Sequence, residues 1–212
     1  MGDLVLLESE VDPVMRKLQA EGIQQTALHN HVLGETPRIM YMHVMAQGDP
    51  VAIARAVRAA LALTRTPARA PTPAASPAPF SLDTAALART LGYGGKVNGG
   101  VYQVSVPRSD PVQAHGMKVP PAMGTATALN FQPTGGGRAA VTGDFVLAAD
   151  EVNPVIKTLG EHGIMVTALH NHMLIDEPRL FFMHFWAVDD AARLAQGLHA
   201  ALGRMKVKAA AS

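Results

Sequence analysis

The feature that most constrains this chain is an internal repeat. Residues 2–64 can be laid over residues 143–205 without a gap. Gly2-Asp3 falls on Gly143-Asp144, and Glu10-Val11-Asp12-Pro13-Val14 falls on Glu151-Val152-Asn153-Pro154-Val155. Thr26-Ala27-Leu28-His29-Asn30-His31 recurs unchanged as Thr167-Ala168-Leu169-His170-Asn171-His172. Pro37-Arg38 and Met42-His43 recur as Pro178-Arg179 and Met183-His184. An ungapped match of that length implies duplication, so one fold unit is expected twice.

Each copy reads as β-α-β-β-α. Residues 3–8 form a short apolar strand. Asp12 before Pro13 reads as an N-cap with proline at the first helical position. Val14 and Leu18 mark one helix face, and Gly22 is a natural stop. Residues 23–33 and 38–47 read as two strands joined by a tight turn at Gly34-Glu35-Thr36-Pro37. Asp49-Pro50 opens a second helix with Ile53, Val57 and Leu61 on its apolar face. The expected fold class is α+β, with mostly antiparallel sheets, helices on one face and the two copies related by pseudo-twofold symmetry.

Three segments are expected: a first repeat over 1–64, a linker rich in Pro and Ala over 65–81, and a second repeat over 82–206. Within the last, residues 82–91 read as a helix, 101–106 as a strand, and 125–131 with 138–141 as a strand pair turning at Gly135-Gly136-Gly137. The glycines from Gly92 to Gly100 do not fit a dinucleotide-binding loop and read as a turn before a strand. Residues 92–141 have no counterpart ahead of the first copy, so that copy is expected to be an incomplete unit. Its unpaired strand edges would favour a homodimer.

Composition excludes several partners. The 212 residues are 48% hydrophobic and 17% charged, with a net charge of +1. No basic stripe is present, so nucleic acid is not an expected partner. Cysteine is absent, which removes disulfides and thiolate metal sites. No apolar run approaches the roughly 20 residues of a membrane span, and the opening Met1-Gly2-Asp3-Leu4 is not a signal peptide.

The histidines carry the chemistry. Along a strand, His29 and His31 would share a face about 6.6 Å apart. If the next strand folds back so that His43 lies opposite His29, three imidazoles converge. That is the ligand set of an open zinc site, with water in the fourth position. His170, His172 and His184 repeat the pattern, and are the preferred set if only one site works. A single strand histidine is ordinarily a core or surface group. Here six hold their places while neighbours diverge, such as Val32 to Met173 and Val44 to Phe185. Glu35, matched by Asp176, is the candidate general base. Glu10 and Glu151 are either further carboxylates of the site or favourable charges near helix starts. Asn30 and Asn171, between the histidines, are expected to satisfy backbone groups. Met40 and Met42 face the other way and read as core.

These motifs resemble the LppY/LpqO family. The resemblance rests on Thr-Ala-Leu-His-Asn-His, Pro-Arg and Met-His, with Gly-Asp-Phe-Val-Leu and Glu-Val-Asn-Pro-Val upstream. Gly99-Gly100-Val101-Tyr102, Pro107-Arg108-Ser109-Asp110 and Pro120-Pro121-Ala122-Met123-Gly124 extend it. It covers nearly the whole chain except linker and tail. It implies a bacterial, exported or lipoprotein-like protein, periplasmic or extracellular, and no particular reaction. The chain departs from that family by beginning inside the first unit.

Three functions remain open on the sequence. The first is a zinc-dependent hydrolase (or one using another divalent transition metal) acting on a small-molecule substrate. The second is a non-catalytic envelope metal-binding protein for storage, delivery or sensing. The third is a ligand-binding module without metal.

Overall fold

A computed structural model describes residues 1–67 and 80–209, so most of the expected linker (residues 68–79) lies outside the described residues. The chain forms two compact units. Among described residues, the first holds 1–67 with Asn171–Leu174, and the second holds 80–170 with 175–209. The fold is α+β with antiparallel sheets. The sheets have three and six strands, so a two-fold repeat of whole units is not evident.

The first unit runs β1 (Gly2–Leu7), α1 (Val11–Ala20), β2 (Gln24–His29), β3 (Ile39–Met45) and α2 (Pro50–Leu61). Its strand order is β1-β3-β2, with both pairings antiparallel. Leu4, Leu6, Met42 and Val44 bury one sheet face against Val14 and Leu18 of α1 and Ala56 and Ala60 of α2. Side chains alternate along a strand, so Asp3, Tyr41 and His43 are left on the other face.

Several local expectations hold. Asp49 caps α2 by accepting from the amides of Val51 and Ala52. Gly22 adopts φ 75°, and Ile23 N donates to Leu18 O at 2.9 Å, closing α1. Met42 is core. Asp12 is not the N-cap. A 3-10 turn, Glu8–Glu10, leads directly into α1, and Asp12 pairs with exposed Arg16 at 2.9 Å. Glu10 explains the earlier start. Its carboxylate accepts Leu7 N at 2.9 Å and Arg65 N at 2.8 Å, tying the entry of α1 to the chain beyond α2.

The expected tight hairpin turn is instead a loop over residues 30–38. Asn30 Nδ2 donates to Val32 O at 3.1 Å. That local bond gives the backbone an alternative to the ladder and ends β2 at His29. Asn171 does the same to Met173 O at 3.1 Å.

The second unit continues with α3 (Thr84–Leu91), β4 (Gly95–Asn98), β5 (Val101–Pro107), β6 (Gln113–Ala114), β7 (Met117–Lys118) and β8 (Ala126–Gly135). Then come β9 (Arg138–Ala148), α4 (Ala149–Glu161), β10 (Met165–His170), β11 (Leu180–Asp190) and α5 (Ala191–Leu202). Six strands form one sheet in the order β10-β11-β9-β8-β5-β4, and β6 pairs with β7. The last five elements repeat the β-α-β-β-α order. The stretch read as two strands, 138–141 and the segment after it, is one strand, β9. Gly143 sits inside it because a Cβ there would run into the carbonyl of Ala128 on β8.

Phe145, Leu147, Met183 and Phe185 turn toward α4 and α5 into the main core, joined by Leu129, Phe131 and Val141. Glu151 repeats the clasp of Glu10. It accepts Ala148 N and Lys206 N, each at 2.7 Å. Here a buried guanidinium joins it: Arg108 donates to Glu151 at 2.6 Å, to Val146 O at 2.9 Å and to Asp110 at 2.8 Å. Both glutamates therefore serve the fold. Burial opposes ionisation of Glu151, but Arg108 and the two amides outweigh it and hold the carboxyl below its ordinary value. Asp110 is lowered the same way, against its own burial, by Arg108.

Removing Arg108 leaves Glu151 charged and buried, so Arg108→Ala should cost about 3–5 kcal/mol. A thermal melt followed by circular dichroism should fall by roughly 10 °C. A native pKa below the unfolded one gives stability that is complete above the ordinary carboxylate value and is lost as pH falls through the native value. The melting temperature should therefore drop on acidification below about pH 4.5, and Glu151→Gln should flatten that drop.

Candidate metal centre

In the first unit, β3 presents Tyr41 and His43 on the face turned away from the helices. His43 lies across from Asp3 on β1 and from Ala27 on β2, while Tyr41 lies across from His29. The expected pairing of His43 with His29 is displaced by two residues, which keeps both on one face. Their rings are 4.9 Å apart, centroid to centroid, nearly parallel at 17°. His31 is not on a strand. It stands just past β2, where the Asn30 turn brings its ring within 5.1 Å of His29 and lays it on Tyr41 at 3.3 Å and 5°. Ligand nitrogens of His31 and His43 each come within 4.8 Å of one of His29.

His172 belongs to the first unit too, its ring 4.0 Å from that of His43. Asn171 beside it donates to Thr26 O at 2.8 Å.

In the second unit, His184 lies across from Asp144 on β9 and Ala168 on β10, and His170 across from Phe182. The rings of His170 and His184 are 4.9 Å apart at 12°. A carboxylate oxygen of Asp144 lies within 4.8 Å of a ligand nitrogen of His170. Overall, clusters of three histidine or histidine and aspartate ligand atoms, all within 4.8 Å of one another, occur among the described residues.

Tautomer follows from hydrogen bonding. His184 Nδ1 donates to Gly143 O at 2.8 Å, and His29 Nδ1 to Asn30 O at 3.1 Å. In a neutral imidazole that puts the lone pair on Nε2, the atom a metal would use. The Nε2 atoms of all six histidines are buried. His43 Nδ1 is 3.8 Å from Asp3 Oδ1.

Asp3 and Asp144 were not singled out in the sequence. They are identical in both copies, but only the strand register sets each opposite a histidine. Tyr41 was missed for the same reason. Burial first, then the negative charges of Glu35 and Asp3, push its phenol above the ordinary value.

The two candidate bases are placed differently. Asp176 accepts Leu180 N at 2.8 Å and Arg179 at 2.9 Å, so both its oxygens hold its own loop. Glu35 Oε1 is buried and accepts no hydrogen bond among the described residues. Arg179 is tied to Asp176, while Arg38 is exposed. No helix among the described residues is long and apolar enough to cross a membrane.

Comparison with solved structures finds a trimeric bacterial microcompartment shell protein, PduB, over 92% of this chain and 70% of that one, at 11% identity and a TM-score of 0.23. A score that low supports no inference. No curated protein matches. A family model does match, over residues 1–63 and 85–204, and the chain therefore belongs to the family described as Domain of Unknown Function (DUF1259).

Proposed function

We propose that this protein binds a divalent transition metal, zinc being the first candidate, for storage, delivery or sensing rather than for catalysis. The observation that carries the reading is the grouping of His29, His31, His43 and His172 within the first unit, with ring centroids 4.0–5.1 Å apart between neighbours. Imidazoles suit zinc, copper, iron and nickel, and the absence of thiolates argues against a Cu(I) site. His170 and His184 with Asp144 would form a second site of mixed nitrogen and oxygen donors. Asp3 and Asp144 are placed to tune the histidines they face. The likeness to the LppY/LpqO family is the ground for proposing export to the bacterial envelope. Duplication of one unit accounts for the paired sites, and a homodimer is the proposed assembly.

A second reading, a zinc-dependent hydrolase of a small molecule, is favoured by one observation. Glu35, unlike Asp176, has an uncommitted buried oxygen. A zinc ion with an open position would supply a bound water of lowered pKa. Glu35 would then accept its proton, and the histidines would hold the ion.

Metal analysis tests the main reading. The purified protein, dialysed against zinc, cobalt or manganese, should retain metal, and the His29→Ala, His43→Ala double variant should retain about one equivalent less, the second site being left intact. Retention of no metal by the wild type sinks the proposal. Asp3→Asn and Asp144→Asn should each weaken one class of site by about 10–100-fold, as loss of a partner to a ligating histidine does, read by competition with a chromophoric chelator.

A further inference from the structure

The Glu151 clasp holds a guanidinium that the Glu10 clasp lacks. Among the described residues, Glu10 accepts Leu7 N and Arg65 N and pairs with no cation. We infer that the outer edge of β1 is a docking site for a second polypeptide, one that lays an extended, arginine-bearing segment along the edge and sets the guanidinium against Glu10.

The second unit shows the chemistry of such an occupant. There the outer side of β9 is covered. Val146 N donates to Thr127 Oγ1 at 3.0 Å, and Val146 O accepts Arg108 at 2.9 Å. Arg108 also reaches both oxygens of Glu151, at 2.6 and 3.2 Å. Each acceptor of that set recurs in the first unit at the same spacing, with Val5 in the place of Val146 and Glu10 in the place of Glu151. Val5 lies across from Tyr41 on β3 as Val146 lies across from Phe182 on β11. The N–H and C=O of Val5 therefore turn to the same outer side.

What differs is the cover. β1 is an edge strand, and Val5 is 53% exposed where Val146 is 0% exposed. An open edge with outward amide and carbonyl groups is a template for an added strand. Charge sets the occupant. Residues 2–10 carry Asp3, Glu8 and Glu10 and no lysine or arginine. Glu10 is nonetheless buried, at 9% exposure. A buried carboxylate held by two amides and no counter-charge gains most from a guanidinium, whose planar fork meets both oxygens at once.

Fluorescence anisotropy provides the test, with a labelled synthetic peptide of residues 101–131 as the probe, added to the whole protein. The peptide should bind saturably. Arg108→Ala in the peptide should weaken binding about tenfold or more, the worth of a hydrogen bond to a charged group, and so should Glu10→Gln in the protein. If Glu10→Gln fails to fold by circular dichroism, Val5→Pro replaces it. The proline removes an N–H on the open side of an edge strand, so the fold should persist while affinity for the peptide falls by a similar factor. Absence of saturable binding, or an affinity unchanged by the variant used, overturns the docking site. A wild-type dimer that Val5→Pro dissociates in light scattering overturns it too, since the edge would then belong to a second copy.

Discussion

The two sheet faces of each central strand impose the constraint on which everything else depends. In β3, Met42 and Val44 enter the core while Tyr41 and His43 face away from the helices. In β11, Met183 and Phe185 enter the core while Phe182 and His184 lie on the other face. A slip of one residue would put imidazoles against the helices and expose the core side chains. Each such side chain is worth about 1.5–3 kcal/mol when fully buried, so the slip is prohibitive. The apolar face thus positions the histidines without touching a ligand.

That logic made much of the molecule legible in its sequence. The repeat gave the element order, Gly22 and Asp49 gave helix ends, and alternation put His29 and His43 on one face. What stayed hidden depended on register and on loop geometry. A two-residue offset moves His43 from opposite His29 to opposite Ala27 while preserving the face, so periodicity cannot detect it. Asn30 ends β2 through a bond to Val32 O, a competition between side chain and ladder that a strand pattern does not reveal. The aspartates opposite His43 and His184 come from strands remote in sequence, and only pairing brings them close. The placement of Asn171–Leu174 with the first unit likewise depends on tertiary contacts, among them Asn171 with Thr26 O.

Comparison of the copies also shows how little similarity of residue type says about role. Glu35 and Asp176 look interchangeable in an alignment. Asp176 accepts the amide of Leu180 in its own loop, while Glu35 Oε1 is buried and accepts no hydrogen bond among the described residues. Tyr41 and Phe182, at matching positions, differ by one oxygen, yet Tyr41 lies flat on His31 while Phe182 stands 6.0 Å from His170. Duplicated sites can diverge in chemistry while the framework beneath them stays the same.

The clasp formed by Glu10, and again by Glu151, bears on how such a chain could arise. In each copy one carboxylate grips the last residue of the strand that leads into the first helix and a residue a few positions beyond the last helix. The end of the module is therefore held against its own first strand-to-helix junction by a side chain that the module itself carries. A module that ties down its own C-terminal end can be followed by more chain without that end unravelling, because the junction lies outside the seal. Tandem growth of the gene then leaves the seal of each copy intact and each copy's loops free to drift.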